Sequence, residues 1–319
     1  MSKLQTLVSC YLVVLAALVA RSVYYPAAAV RDPEPTCKRG GFLNLGCSKG
    51  CVKAKGQCVW LAPPSVAAPS PPAAAGPSGH SLMKRRTVQN CLAAADAFEA
   101  EAEATTAGKA AAQLQMLAAD AINCAMRTRG NGNILLVEGT SDTPENKKFW
   151  ATHGPRALAL VRAAISSDPS LAADARARVI ELDAFMYNSA SKGILRQAVT
   201  GAGVEFKRLA DEFTATHTAY DGGVGHTYLA GFYHVAPWPL GDKKRAIAEA
   251  EASVALSTRS RRNSYYVCLF KYLAADAPGA KAACAAATAA RCDGDTEPDY
   301  CPALTREVAR VSALVKAMA

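Results

Sequence analysis

The sequence has few aromatic residues and no hydrophobic run long enough for a transmembrane helix. Aromatic side chains make up 7% of the 319 residues, although 50% of the chain is hydrophobic, much of it alanine. The apolar run at residues 7–20 has 14 residues, whereas a membrane-spanning helix needs about 20. This composition predicts an all-α protein with closely packed, alanine-lined helices rather than a large aromatic interior.

Motifs typical of catalytic and metal sites are also missing. No HxxxH or HExxH motif occurs, and no serine, cysteine or threonine has a recognisable base partner. His226 and His234 lie eight residues apart, with Asp221 nearby, and are the main candidates for acid–base or metal chemistry. We therefore predict no enzyme activity, no cofactor and no metal site, and keep an enzyme that uses His226 and His234 as an alternative.

The first 29 residues have the pattern of a signal peptide. Lys3 precedes the apolar run, and small residues suit cleavage after Ala20 or Ala29. An uncleaved anchor and an organelle-targeting leader are the alternatives. Without Cys10, ten cysteines remain, an even number that indicates up to five disulfides in an oxidising compartment. We expect a secreted or extracellular protein, or one in a periplasm-like space or an organelle lumen.

Residues 30–60 form a small cysteine-rich, basic module. Two disulfides would have to hold it, because so short a segment cannot bury a core; zinc is the alternative to disulfides. The four cysteines allow three pairings, and no helical or strand period is visible. The cysteines are Cys37, Cys47, Cys51 and Cys58.

The same module contains six basic and two acidic residues. Five of the basic side chains, with Phe42 and Trp60, form a patch that suits an anionic polysaccharide or a membrane surface. The alternative is that these charges only keep the module soluble. The five are Lys38, Arg39, Lys49, Lys53 and Lys55.

A linker rich in proline and alanine, residues 61–83, separates this module from residues 84–319. The latter part reads as a series of helical hairpins. Cysteines at matching distances from the turns predict the disulfides Cys91–Cys124 and Cys268–Cys284. A third, Cys292–Cys301, would close an acidic loop.

Two further features of residues 84–319 bear on the fold. Gly154-Pro155 is expected to end one helix before the next begins. Ala246 and Ala282 lie 36 residues apart, near the tetratricopeptide (TPR) period. We therefore predict TPR-like helical hairpins that stack into an α-solenoid or superhelical domain.

The segment YDGGVGHTYLAGFYHVAPWPLGDKKRAIAEAEASVALSTRSRRNSYYVCLFKYLAADAPGAKAAC resembles the TatT-like family, the T component of tripartite ATP-independent periplasmic (TRAP) transporters. The likeness is carried by the glycine-rich stretch at 221–225, the aromatic helix at 228–233 and the Pro-Trp-Pro-Leu-Gly-Asp turn at 237–242. The Arg262-Asn263 pair that opens a later helix adds to it.

This resemblance implies an all-α extracytoplasmic protein that associates with a solute-binding partner. It also implies a trimer with a hydrophobic channel open to ligand. The chain departs from the family in lacking a lipoprotein cysteine and in carrying the basic module, the linker and extra cysteines. Fold therefore transfers from the resemblance more readily than a transporter role does.

Residues around the Pro-Trp-Pro turn are the predicted ligand-binding wall. Trp238 is expected first to anchor packing between two helices and second to contact a ligand. The glycine-rich turn and the arginines Arg259, Arg261 and Arg262 are weaker candidates for an anion site. The predicted wall consists of Tyr228, Tyr233, His234, Trp238, Tyr265 and Tyr266.

The predicted function is that of a non-enzymatic TPR-like binding or adaptor protein. It would hold a protein partner or a small organic ligand on a concave or channel surface, and the sequence leaves a homo-oligomer open. No nucleic-acid partner is predicted. The structural alternative is an extracellular protein attached to matrix or wall through its basic module.

Overall fold

The computed structural model describes residues 51–54, 57–60, 77–130, 143–193, 200–291 and 301–318. The chain divides into two units, Met1–Ala73 and Ala74–Ala319. Outside the described residues lie the predicted signal peptide, most of the basic module and Cys292. The side chain of Cys301, the predicted partner of Cys292, is not described either. The predictions made for them therefore stay predictions.

The first unit contains a short antiparallel ribbon that the sequence did not predict. Strand β1, Cys51–Ala54, pairs with β2, Gln57–Trp60, so that Cys51 lies opposite Trp60 and Lys53 opposite Cys58. Four residues a strand are too few to display a clear alternation of polar and apolar residues. The hairpin was missed for that reason.

The described part of the second unit is all-α, as predicted, with eleven α-helices and two short 3₁₀ helices. The 3₁₀ helices are Pro169–Ala173 and Tyr220–Gly222. The α-helices are α1 Gly79–Leu82, α2 Val88–Ala104, α3 Lys109–Arg129, α4 Pro144–Ser167, α5 Ala175–Ala190, α6 Ala202–Thr216, α7 Val224–Val235, α8 Lys243–Leu256, α9 Arg261–Leu273, α10 Ala277–Ala289 and α11 Cys301–Lys316.

Polar caps determine where several of these helices begin. The side chains of Thr87, Thr143 and Asp174 each accept a hydrogen bond from the backbone N–H three residues later, at the starts of α2, α4 and α5. Such a cap satisfies an N–H group that has no partner within the helix. The Arg262-Asn263 pair, expected to open a helix, lies at the start of α9, which begins at Arg261.

In the described part of the second unit, each helix packs mainly on its neighbours in sequence, and α3, α7 and α9 also pack more weakly on the helix two places further along. Both predicted hairpin disulfides that lie in the described residues are confirmed. Cys91–Cys124 joins α2 to α3 with Cα atoms 5.9 Å apart, and Cys268–Cys284 joins α9 to α10 at 4.9 Å. Contact between sequence neighbours is the packing rule of stacked helical hairpins.

The prediction that Gly154-Pro155 ends a helix is wrong, because α4 runs through both residues. A Cβ atom on Gly154 would lie 2.9 Å from the backbone of Asn188 in α5. The glycine lets the two helices approach closely, and a residue without Cβ also relieves the crowding that proline imposes on its predecessor. Tertiary packing thus keeps the helix intact at a residue that usually breaks one.

The core has two compositions. Alanines with no exposed surface, such as Ala94, Ala118 and Ala121, bring α2 and α3 together, as predicted. Later helices contain a substantial aromatic core, which the composition did not predict. The 36-residue spacing does not mark equivalent sites, since Ala246 is fully buried and Ala282 is exposed.

One boundary also differs from the predictions. Helix α1 lies inside the predicted linker, where Ser78 caps it and Gly79 packs closely on the ring of Phe98. Helix α6 begins after Gly201, and Gly203 lies within it. None of the helices in the described part of the chain is long and apolar enough to cross a bilayer.

Candidate functional site

Helix α7 carries three of the six residues of the predicted ligand-binding wall, and α9 carries two. The six residues do not form one open surface. Tyr228, Tyr265 and Tyr266 are buried to 1% exposure or less, and Tyr233 is also buried. A ligand on the surface of this structure would meet few of these rings. Their aromatic character serves the core.

Tyr228 belongs to a buried polar network that sequence reasoning missed. Its hydroxyl donates to the carboxylate of Asp183, which also accepts from Arg127 Nη1 at 2.5 Å. Nearby, Asn123 Nδ2 donates to the carbonyl of Ile180 at 2.9 Å. Burial raises the pKa of Asp183, against the opposing effect of Arg127. The network links α3, α5 and α7 and so fixes the position of α7 in the stack.

The glycine-rich turn before α7 is held by two buried side chains of α9. Arg262 donates from Nη1 to the Asp221 carboxylate at 2.6 Å and from Nη2 to the Asp221 carbonyl at 2.5 Å. Asn263 Nδ2 donates to the carbonyl oxygens of Gly222 and Ser253, at 2.7 and 2.8 Å. Asp221 has a φ of 46°, in the left-handed region. We call this arrangement the Arg262 clamp.

The predicted arginine cluster is therefore not a shared anion site. Arg262 is 1% exposed and bound to Asp221. Arg261 donates from Nε and Nη2 to the carbonyl of Ala290, at 2.9 and 2.6 Å, and from Nη1 to Thr305 at 2.8 Å. Arg259 alone of the three is exposed. The charge of Arg262 is thus paired with Asp221, whereas Arg261 donates to neutral oxygen acceptors.

A second turn follows α7, and it is held by its own backbone. We call residues 235–242 the Trp238 elbow. The N–H of Asp242 donates to the carbonyl of Tyr233 at 2.9 Å, and the N–H groups of Leu240 and Gly241 both donate to the carbonyl of Pro237, at 3.0 and 3.1 Å. A Cβ atom on Gly241 would lie 2.0 Å from the carbonyl oxygen of Ala236. Glycine is therefore required where the turn closes.

The elbow exposes its apolar side chains to solvent. Trp238 is 89% exposed, and Val235 and Leu240 are 36% and 40% exposed. The interpretation of Trp238 as a packing anchor is wrong. The backbone hydrogen bonds and Gly241 hold the turn, so its tryptophan is free to project from it.

Cationic side chains of α8 begin directly after the elbow. Lys243 Nζ donates to the carbonyl of His234, and the Arg245 guanidinium lies 4.2 Å from the centre of the Tyr233 ring. Lys244 is exposed. The one acidic residue of the turn, Asp242, accepts from the backbone N–H of Lys244 and Arg245 at 3.0 Å each and so caps α8.

His234 attaches the elbow to α9 as an uncharged ring. Its imidazole stacks on Phe270 with ring centres 5.0 Å apart. Burial, together with the nearby Lys243 ammonium, lowers the pKa of His234 to about 4. The ring is therefore neutral near pH 7, and it is a weak base for catalysis at that pH.

His226 faces a different partner. Its Nδ1 lies 2.8 Å from Glu249 Oε2, and Arg245 Nε lies 3.5 Å from Glu249 Oε1. His226 pairs with Glu249 of α8, whereas His234 stacks on α9. In the described ranges, no cluster of three or more His, Cys, Asp or Glu side chains is placed to hold a metal ion.

A shallow groove of about 310 Å³ lies over α8, α9 and α10. Its floor is lined by Val254, Val267 and small residues of α10, and the ion pair Lys271–Glu251, 2.7 Å long, stands among its lining residues. None of the predicted wall residues lines this groove. It offers little depth for an organic ligand.

No protein-family description and no curated protein sequence matches this chain. The likeness to TatT-like proteins, and the transporter partner that it implies, therefore stay predictions.

Proposed function

We propose that this chain is a secreted or lumenal, non-enzymatic binding or adaptor protein whose helical domain contacts its partner through the Trp238 elbow. The observation that carries the proposal is the 89% exposure of Trp238 on a turn held by backbone hydrogen bonds. Burying a tryptophan contributes more free energy than burying almost any other side chain. Leaving one in water gives up that contribution unless a partner covers it.

The construction of the elbow favours binding. A turn already held in one conformation loses little conformational entropy when it is covered, so more of the burial energy goes into affinity. Exposed tryptophan and arginine are also the residue types that most often dominate contact energies. The elbow supplies Trp238, and Arg245 lies close to it.

Secretion is supported by the cysteines. The two disulfides of the helical domain are compatible with an oxidising compartment, since such bonds are rare where thiols are kept reduced. The leader-like pattern at residues 1–29 points the same way. Intact-mass measurement of the protein from its own cells should give a chain that begins after Ala20 or Ala29.

Site-directed photo-cross-linking in the source cells tests the proposal. A photoreactive phenylalanine analogue at Trp238 should give a discrete light-dependent adduct, whether with a protein or with a lipid. Excess wild-type protein should suppress the adduct, and excess Trp238→Ala protein should not.

The matched control is the same analogue at Val204, an apolar side chain of α6 that is 58% exposed. If position 238 gave no more adduct than position 204, the elbow would not be a contact surface and the proposal would fail.

A further inference from the structure

We infer that the Trp238 elbow inserts into the surface of a membrane that contains anionic lipids. The inference rests on the proposed function, because it requires the elbow to be a contact surface, and it names the partner's chemistry.

The exposed apolar side chains project from one short turn. Among the described residues, Val235, Trp238 and Leu240 are exposed large hydrophobic side chains within six positions of each other. The remaining such residues are scattered over several helices and turns, at Val204, Tyr220, Leu256, Leu273 and Leu314. Tryptophan is the side chain most typical of the membrane–water interface, because its ring is apolar and its N–H is polar.

Positive charges outnumber negative ones next to this apolar turn. Lys243, Lys244 and Arg245 follow the elbow directly and are exposed. Of the two nearby carboxylates, Asp242 caps α8, and Glu249 contacts both His226 and Arg245. Each Lys or Arg held near an anionic bilayer contributes about 1 kcal/mol of attraction. The elbow therefore has apolar side chains on the turn and basic residues beside it. This order matches the layers of such a bilayer, in which acyl chains lie beneath anionic headgroups.

The size of the apolar part favours a lipid surface over a protein partner. A stable protein interface covers about 800 Å² on each side and some 20–30 residues. The elbow spans eight residues, and its exposed large hydrophobic side chains are Val235, Trp238 and Leu240. Insertion into a fluid surface needs no matching shape. The expected binding is reversible and weakens with salt, because screening acts on the basic residues.

Fluorescence quenching by vesicles of defined composition tests this inference. The full chain carrying Trp60→Phe retains two tryptophans, Trp150, which has no exposed surface, and Trp238. Vesicles of phosphatidylcholine with phosphatidylserine, brominated near the top of the acyl chains, should quench Trp238 and shift its emission to shorter wavelength. Pure phosphatidylcholine vesicles should do so far less.

Variants separate the elbow from the basic N-terminal module, which carries its own positive charge. Adding Trp238→Phe to the Trp60→Phe chain should abolish both the quenching and the shift. Trp238→Ala should lower the partition coefficient by about tenfold, since even partial burial of this ring is worth more than 1 kcal/mol.

Lys244→Ala should lower the partition coefficient by about fivefold. Its charge-matched control is Lys281→Ala, at an exposed lysine of α10, which should leave the coefficient unchanged.

The outcomes divide cleanly. Three results would overturn the inference. The first is binding without quenching of Trp238, which would place the contact in the basic module. The others are no binding at all, and quenching that is still seen in the Trp238→Phe chain. If the vesicles do not quench Trp238 and position 238 cross-links to a protein, the inference falls and the proposed function stands. If position 238 gives no specific adduct with lipid or protein, both fall.

Discussion

Helix α7 lies between two turns that look alike in sequence and differ in structure. Both are rich in glycine or proline and both connect α7 to a neighbouring helix. The turn before it is held by Arg262 and Asn263 of α9, which donate hydrogen bonds to Asp221 and Gly222. The turn after it closes on its own backbone and leaves Trp238 exposed.

The difference shows how a turn becomes available for binding. A turn that needs side chains from another helix to hold its shape has its own polar groups engaged by those side chains. A turn that holds its shape through its own N–H and carbonyl groups can direct its side chains outward. The elbow is of the second kind, and the following predictions separate the two turns experimentally.

The largest effect is expected from breaking the Arg262 clamp. Arg262→Ala leaves the Asp221 carboxylate without its cation in a partly buried position and removes the hydrogen bonds that hold a left-handed residue in place. Loss of one partner of a buried ion pair costs about 3–5 kcal/mol. The free energy of unfolding from urea titration should fall by that amount.

Arg259→Ala is the control for this change. Arg259 is an exposed arginine near the start of the same helix, and its loss should change the free energy of unfolding by less than about 0.5 kcal/mol. Equal effects from the two variants would mean that the clamp does not stabilise the turn.

A smaller loss of stability is expected from a substitution that disturbs the backbone of the Trp238 elbow. Gly241→Ala places a methyl group against the carbonyl oxygen of Ala236 and forces the backbone of the turn to move, at a cost of about 1–3 kcal/mol. Gly203→Ala is the matched control, because its added methyl meets only the Phe232 ring at 3.8 Å, within helix α6. That variant should be neutral or slightly more stable in thermal unfolding. A neutral Gly241→Ala protein would show that the elbow tolerates deformation.

His234 is expected to contribute about 1 kcal/mol to the pH dependence of the free energy of unfolding. Its folded-state pKa of about 4 lies below the unfolded value near 6.5, so the unfolded chain takes up the proton first. Stability from this residue is therefore complete above pH 6.5 and is lost as the pH falls towards 4. The figure allows for solvent screening of a half-exposed ring.

His234→Phe keeps the aromatic stacking and removes the titration. Urea titrations at pH 7 and pH 4.5 should show a smaller drop in this variant than in the wild type. An identical drop would assign the pH dependence to other groups.

The smallest effect on stability is expected at the residue proposed to matter most for binding. Trp238→Ala should change the free energy of unfolding by less than about 0.5 kcal/mol, because the ring is in water. Trp150→Ala, at a fully buried tryptophan, should cost about 3–5 kcal/mol. A large loss from Trp238→Ala would mean that the ring packs after all.

Local signals predicted much of the fold and little of the site. The disulfides Cys91–Cys124 and Cys268–Cys284 depend on cysteines at matching distances from a turn within one hairpin, and the sequence predicted both. Pro155 was misjudged because the contact that keeps its helix intact, between Gly154 and Asn188, joins residues that are distant in sequence. The aromatic core was underestimated for a similar reason. Seven per cent aromatic content is an average, and the folded chain concentrates those rings in α7 and α9.

The exposure of Trp238 could not be read from the motif either. Pro-Trp-Pro between two helices is equally suited to a packed corner and to a projecting one. The choice depends on whether α9 supplies a surface for the ring, and α9 supplies Phe270 to His234 instead. The buried Asp183 left one usable sign in the sequence, a carboxylate between the apolar residues Leu182 and Ala184, where a buried charge needs a partner.

The two disulfides in the described part of the helical domain affect how the stack unfolds. In a linear array whose helices contact mainly their sequence neighbours, the terminal units have a neighbour on one side only and fray first. Cys91–Cys124 fastens the first long hairpin, and Cys268–Cys284 fastens the α9–α10 hairpin, beyond which the described chain has only α11. The disulfides thus lie in the hairpins where unfolding of the stack is expected to begin. Helix α7 and both of its turns lie between these two hairpins in sequence.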